Sequence, residues 1–175
     1  MKIFRLRLFL MFVVALAATG CAHNAADSPA FTAEQRAAVE SGVRNFMQAV
    51  AHDITSEGPT AWQKEFADDP AFFMAVEGKM AFPDRETATK AIPELPKIIK
   101  QIELRWGDDL RVDPLTADLA VVAASYTEVQ TNPEGHQITE TGFFTGVVEL
   151  RGGGWQFRDA HWSAPVGHTP PAKTQ

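Results

Sequence analysis

Two residues near the C-terminal end of the chain, Asp159 and His161, stand one residue apart in a stretch where apolar and polar residues alternate. In an extended strand that spacing puts both side chains on one face, together with Trp155, Phe157 and Ser163. Gln156, Arg158, Ala160 and Trp162 fall on the other. Trp155 and Phe157 make the first set the one expected to face a pocket. A carboxylate raises the basicity of a neighbouring imidazole, so the pair suits proton transfer to or from a bound molecule. The plainer alternative is a structural histidine held by hydrogen bonds at the pocket's edge. Tyr126 and Glu128 repeat the pattern on an earlier strand, sharing a face with Val122 and Ala124. A glutamate on an apolar strand face can become a general base with a raised pKa. Near a strand end it can equally reach solvent or a basic partner. Asp159 and His161 are therefore the catalytic candidates, with Glu128 and Tyr126 assisting.

Trp62, Phe66, Phe73, Trp106 and Phe143 are the aromatic residues expected to line an apolar pocket, with Tyr126, Glu128 and His161 as its polar contacts. The same aromatics also serve core packing, and the two roles are compatible. Other chemistries lack their motifs. The chain has no G-x-S-x-G, no P-loop and no G-x-G-x-x-G, which leaves serine hydrolase, nucleotide and dinucleotide readings unsupported. Its 5 His residues include no H-x-x-x-H pair, and 1 Cys excludes a disulfide framework or a cysteine-based zinc or iron–sulfur site. No cofactor and no metal are expected. Gly152-Gly153-Gly154 reads as a turn.

The 175 residues carry 16 Lys and Arg against 22 Asp and Glu. Lys2, Arg5 and Arg7 precede the apolar run Leu8 to Ala18, which is shorter than the roughly 17–25 residues a membrane-crossing helix needs. Residues 1–20 thus read as a signal peptide. Removing their three basic residues leaves 13 against 22 acidic ones, a balance that repels nucleic acid. Ala18-Thr19-Gly20-Cys21 resembles the lipobox of bacterial lipoproteins, although Leu is commoner at the position of Ala18. That resemblance implies lipidation at Cys21 and attachment to a membrane. Ala22 after the cysteine implies the outer membrane, facing the periplasm. The alternative is cleavage at an A-x-G site and a secreted protein with a free thiol. Residues 21–31 read as a tether, residues 32–165 as one domain, and residues 166–175 as a flexible tail.

Thr32-Ala33-Glu34-Gln35 fits a capping box, and Val39, Val43, Phe46, Met47, Val50 and Ile54 then recur at helical spacing. Gly58-Pro59 ends that helix, and Trp62 and Phe66 mark a second, short one. Two short strands flank Glu77-Gly78 as a hairpin, and Pro83-Asp84 opens a third helix that Pro93 and Pro96 limit. Strands follow at 99–106, 110–113, 117–130, 137–150 and 155–163, the first two readable as one strand interrupted at Gly107-Asp108-Asp109. Helices ahead of hairpin-linked strands indicate an α+β fold.

The run from Trp155 to Ser163, with His161 and Ser163 as H-x-S, resembles the SnoaL-like branch of the nuclear-transport-factor-2-like superfamily. Gly78-Lys79, Trp106 before Asp108-Asp109-Leu110-Arg111-Val112, and Ala120-Val121-Val122 after Thr116-Ala117-Asp118 carry the same resemblance, which extends from about Thr32 to Ala164. It implies a cone: a strongly curved antiparallel sheet covered by N-terminal helices around a pocket, the cystatin-like roll. It also implies a possible homodimer through the open sheet face. Members include isomerases, dehydratases, cyclases and binding-only domains, so the fold does not choose among them. The tyrosine that the ketosteroid isomerase branch carries on its first helix is replaced here by the stripe of Phe46 and Met47. The expected function is a membrane-anchored extracytoplasmic domain that binds a small apolar ligand or a protein partner without catalysis. The alternatives are a cofactor-independent isomerase or dehydratase using Asp159 and His161, and a structural dimer whose pocket is filled by its own side chains.

Overall fold

Thr32 starts the first helix, α1 (Ala33–Glu57). Its hydroxyl accepts from the Gln35 N–H at 3.1 Å, and the Gln35 side chain accepts from the Thr32 N–H at 2.8 Å. Such a cap contributes about 1 kcal/mol. The structure, a computed structural model, describes residues 31–165. The signal peptide, Cys21, all of the tether before Phe31, and the tail lie outside the described residues.

Val39, Val43, Met47, Val50 and Ile54 form the buried stripe of α1. After a single 3-10 turn, Pro59–Ala61, comes the short α2 (Trp62–Glu65). Strands β1 (Phe73–Val76) and β2 (Lys79–Phe82) form the expected hairpin. Glu77 and Gly78 both take positive φ, 48° and 75°, the tight-turn geometry that favours glycine in at least one place. Asp84 caps α3 (Arg85–Ala91) by accepting from the Thr87 N–H at 2.7 Å, and the chain tightens to a 3-10 helix over Ile92–Lys97, where Pro93 and Pro96 fall.

The remaining strands are β3 (Gln101–Trp106), β4 (Arg111–Pro114), β5 (Leu119–Thr131), β6 (Gln137–Arg151) and β7 (Gly154–Ser163). They build a seven-stranded sheet in the order β2-β1-β7-β6-β5-β3, with β4 also paired to β5. The fold class is α+β as expected, but the sheet is mixed. β1 runs parallel to β7, because the chain reaches β7 only after crossing back over the whole sheet. β3 and β4 follow one another along β5, as one strand broken at Gly107-Asp108-Asp109 would. The break is held by Asp109, whose carboxylate accepts from both the N–H and the hydroxyl of Ser125 at 2.9 and 2.8 Å.

Two features shape the inner face where α1 packs. Gly142 on β6 leaves room that a side chain would close: a Cβ there would sit 2.2 Å from the Ser163 carbonyl oxygen and 2.7 Å from the Tyr126 ring. On β7, Val147 pairs with Asp159 while Val148 pairs with Phe157, so Arg158 is an extra residue in a β-bulge. The bulge reverses the alternation. Phe157 is buried before it, and Ala160 and Trp162 are buried after it.

Candidate functional site

The bulge decides which side chains meet. Trp162 turns inward and becomes the centre of an aromatic cluster. Its ring lies 5.5 Å from Trp62, 5.6 Å from Trp106, and 4.7 Å from both Tyr126 and Phe144. Trp62 in turn stacks on Phe66 at 5.6 Å. A cavity of about 270 Å³ opens beside this cluster. Trp62, Phe66 and Trp162 form one wall. Met74, Val76 and Phe82 of the hairpin form another, and Ile92, Leu95, Ile99 and Ile102 complete the apolar surface.

Four polar residues line the same cavity: Glu77, Glu128, Gln130 and Glu140. Glu128 and Glu140 are directly opposed across the β5–β6 pair. Glu128 is 8% exposed, and its Oε1 accepts from the Gln130 amide at 2.5 Å. Among the described residues its Oε2 accepts nothing. Glu140 accepts from the Tyr126 hydroxyl at 2.5 Å. Burial pushes the Glu128 carboxyl above its ordinary range; the Gln130 hydrogen bond opposes the shift and the Glu140 charge adds to it. Burial also raises the Tyr126 phenol, reinforced by its bond to Glu140 and by the charges of Glu140, Glu128 and Glu77. The tyrosine is therefore a fixed donor, and Glu128 is the group whose charge the cavity can change.

The expected site residues divide sharply. Trp62, Phe66 and Glu128 line the cavity. Tyr126 reaches it through Glu140. Trp106 is core: it stacks on Trp162, and its indole N–H donates to the Met47 carbonyl at 2.7 Å. Four placements need correction. Asp159 and His161 share a face, but it is the outer one, because the Arg158 bulge shifts them there. His161 is exposed and opposes Thr145, and no hydrogen bond joins it to Asp159. Among the described residues Asp159 accepts only from the Val147 N–H, at 3.2 Å. Its carboxyl is raised by burial, with Val147 and Arg158 opposing. Phe73 sits in register with Asp159 on the same outer side and is 40% exposed; Phe72 takes the core place instead, its ring 4.7 Å from Phe66. Phe143 is 44% exposed on the outer side of β6, since the inward positions there are Glu140, Gly142, Phe144 and Gly146.

Glu140, Gln130 and Trp162 are the cavity-lining residues that alternation alone did not single out. Glu140 had a signal. The turn at Asn132-Pro133-Glu134-Gly135 pairs Thr131 with Gln137, and counting back three from each end brings Glu128 opposite Glu140. Among the described residues no group of three or more His, Cys, Asp or Glu side chains is placed to hold a metal ion, and no helix is long and apolar enough to cross a membrane.

No family model matches the chain, and no curated protein matches it. Solved structures do. A candidate scytalone dehydratase from Novosphingobium aromaticivorans superposes with a TM-score of 0.66 at 10% identity, covering 77% of this chain and 89% of that one. A nuclear-transport-factor-2-like superfamily protein from Salmonella enterica serovar Typhimurium gives 0.63 at 14% identity, over 79% and 99% of the two chains. A hexachlorocyclohexane dehydrochlorinase from Novosphingobium barchaimii gives 0.60 at 16%, over 77% and 92%. The chain shares their fold.

Proposed function

We propose that this nuclear-transport-factor-2-like domain is a lipid-anchored, extracytoplasmic binding protein that holds a small, largely apolar molecule in its cavity and does not transform it. The observation that carries the reading is the cavity itself, about 270 Å³, apolar on most of its surface and supplied with a few polar groups at one place. Such a combination is the ordinary form of a small-molecule site. The Asp159–His161 pair, which would have argued for catalysis, points away from it. The anchor rests on the sequence around Cys21 alone.

Two measurements test the two halves. Native mass spectrometry of the protein purified from its own membrane should find a retained small molecule, and Leu95→Trp, which fills space at the cavity wall, should abolish it. A protein that never carries an adduct and takes up no apolar probe defeats the binding reading. Cys21→Ser should release the protein into the soluble fraction, and unchanged fractionation defeats the anchor.

A second reading has one specific observation in its favour. Glu128 is a carboxylate with a raised pKa facing an apolar cavity, the setting of a general base. The fold also includes a candidate dehydratase and a dehydrochlorinase. If the chain is an enzyme, Glu128 and not His161 takes the proton. Activity on a substrate identified from the adduct should then vanish in Glu128→Gln and survive in His161→Ala.

A further inference from the structure

We propose that the ligand of this cavity is a small organic cation with an apolar body, an amine or ammonium, taken in preference to neutral or anionic molecules of the same shape. The inference rests on the reading that the cavity binds a ligand, and it names the chemistry of that ligand. Three carboxylates, Glu77, Glu128 and Glu140, line the cavity, and among the described residues no Lys, Arg or His lines it. Two of them, Glu128 and Glu140, face each other across adjacent strands, an arrangement in which like charges repel.

The protein only half satisfies them. Gln130 donates to one oxygen of Glu128 and Tyr126 to one oxygen of Glu140. The Oε2 of Glu128 has no donor among the described residues and remains accessible. A carboxylate so placed, with its Gln130 neighbour already engaged, is completed by a donor that arrives with the ligand. A neutral hydrocarbon would leave it incomplete, and a carboxylate ligand would add a further repulsion. A cation removes the repulsion between Glu128 and Glu140, and the indoles of Trp62 and Trp162 attract cations further. The remaining wall of Ile, Leu, Met and Phe side chains demands that the rest of the molecule be apolar.

The test compares three probes of similar size on the full-length protein by isothermal titration calorimetry at neutral pH: 2-phenylethylamine, propylbenzene and 3-phenylpropanoate. The amine should bind about tenfold more tightly than the hydrocarbon, as expected of a desolvated charge-assisted contact, and the carboxylate weakest. Glu128→Gln should erase the preference, bringing the affinity for the amine down to that for propylbenzene. Should that variant fail to fold, Glu140→Gln serves the same purpose, and the wild-type ranking alone is already decisive. Equal binding of amine and hydrocarbon, or tightest binding of the carboxylate, overturns the cation while the cavity reading stands. Absence of binding by all three overturns both.

Discussion

The two faces of the same strands carry similar inventories and behave in opposite ways. The inner face has Glu128, Glu140 and Tyr126; the outer has Asp159, His161 and several threonines. On the outer face His161 and its neighbours meet water, and the Asp–His spacing yields no hydrogen bond between them. On the inner face, carboxylates that look unremarkable in the sequence are packed against indoles and isoleucines and held by a tyrosine and a glutamine. Chemical potential here comes from enclosure. A carboxylate changes its chemistry when the sheet removes it from water.

Substitutions can break or sharpen that contrast. The largest difference should separate two neighbours on β7. Trp162→Ala empties the aromatic cluster and should cost about 3–5 kcal/mol in chemical denaturation, whereas His161→Ala, one residue away, should stay within about 0.5 kcal/mol. Comparable losses at the two positions would mean that the outer face is itself packed against something. Next in size, Tyr126→Phe strips Glu140 of its donor and should cost about 1.5–3 kcal/mol, the range for a hydrogen bond to a charged group.

A smaller effect concerns pH. The folded protein holds the Glu128 proton more tightly than the unfolded chain does, so stability is greatest below the ordinary carboxylate range. That is the contribution of Glu128 alone, which falls as pH rises through the raised folded value; Asp53, Asp69, Asp84 and Asp109, whose carboxyls are lowered, lose their own contribution in strong acid. Glu65 acts in the same direction as Glu128. It is buried beside Asp53 and Glu57 with Lys64 opposing, and burial pushes its carboxyl up to about 7. The melting temperature of the wild type should therefore decline by a few degrees between the acidic range and mild alkali. Glu128→Gln and Glu65→Gln should each flatten part of that decline, and Glu128→Gln should in addition weaken the dependence of amine binding on pH. A decline unchanged by either substitution would show that neither carboxyl titrates in that window. The smallest effect is expected at Asp159. Its carboxyl is only half-buried, so Asp159→Asn should shift stability by a few tenths of a kcal/mol and leave probe binding as it was.

Much of the scaffold was legible in the sequence for local reasons. The capping box at Thr32 and the stripe from Val39 to Ile54 depend on spacing within one helix, and the structure keeps both. The Glu77-Gly78 hairpin depends on a glycine at positive φ, again a local matter. The cone is legible only through the family resemblance of motifs spread from Gly78 to Ser163. The site was harder. Glu128 and Tyr126 were visible because β5 alternates without interruption, buried and half-buried residues following each other over most of its length. Alternation does not separate Phe73 from Phe72, because a four-residue strand offers too few alternations to tell which phenylalanine points inward.

Residue type and period determined which segments became helix or strand, and that the enclosed surface would be largely apolar. Those properties reside in neighbours along the chain. Tertiary structure alone decided that β7 would spend Arg158 on a bulge, turning Trp162 into the cavity and His161 out of it. It also decided that the β5–β6 register would set Glu128 against Glu140. A bulge is stabilised by the partner strand and by the curvature of the whole sheet, so no residue within β7 announces it, and one unpaired residue is enough to exchange the two faces of everything that follows.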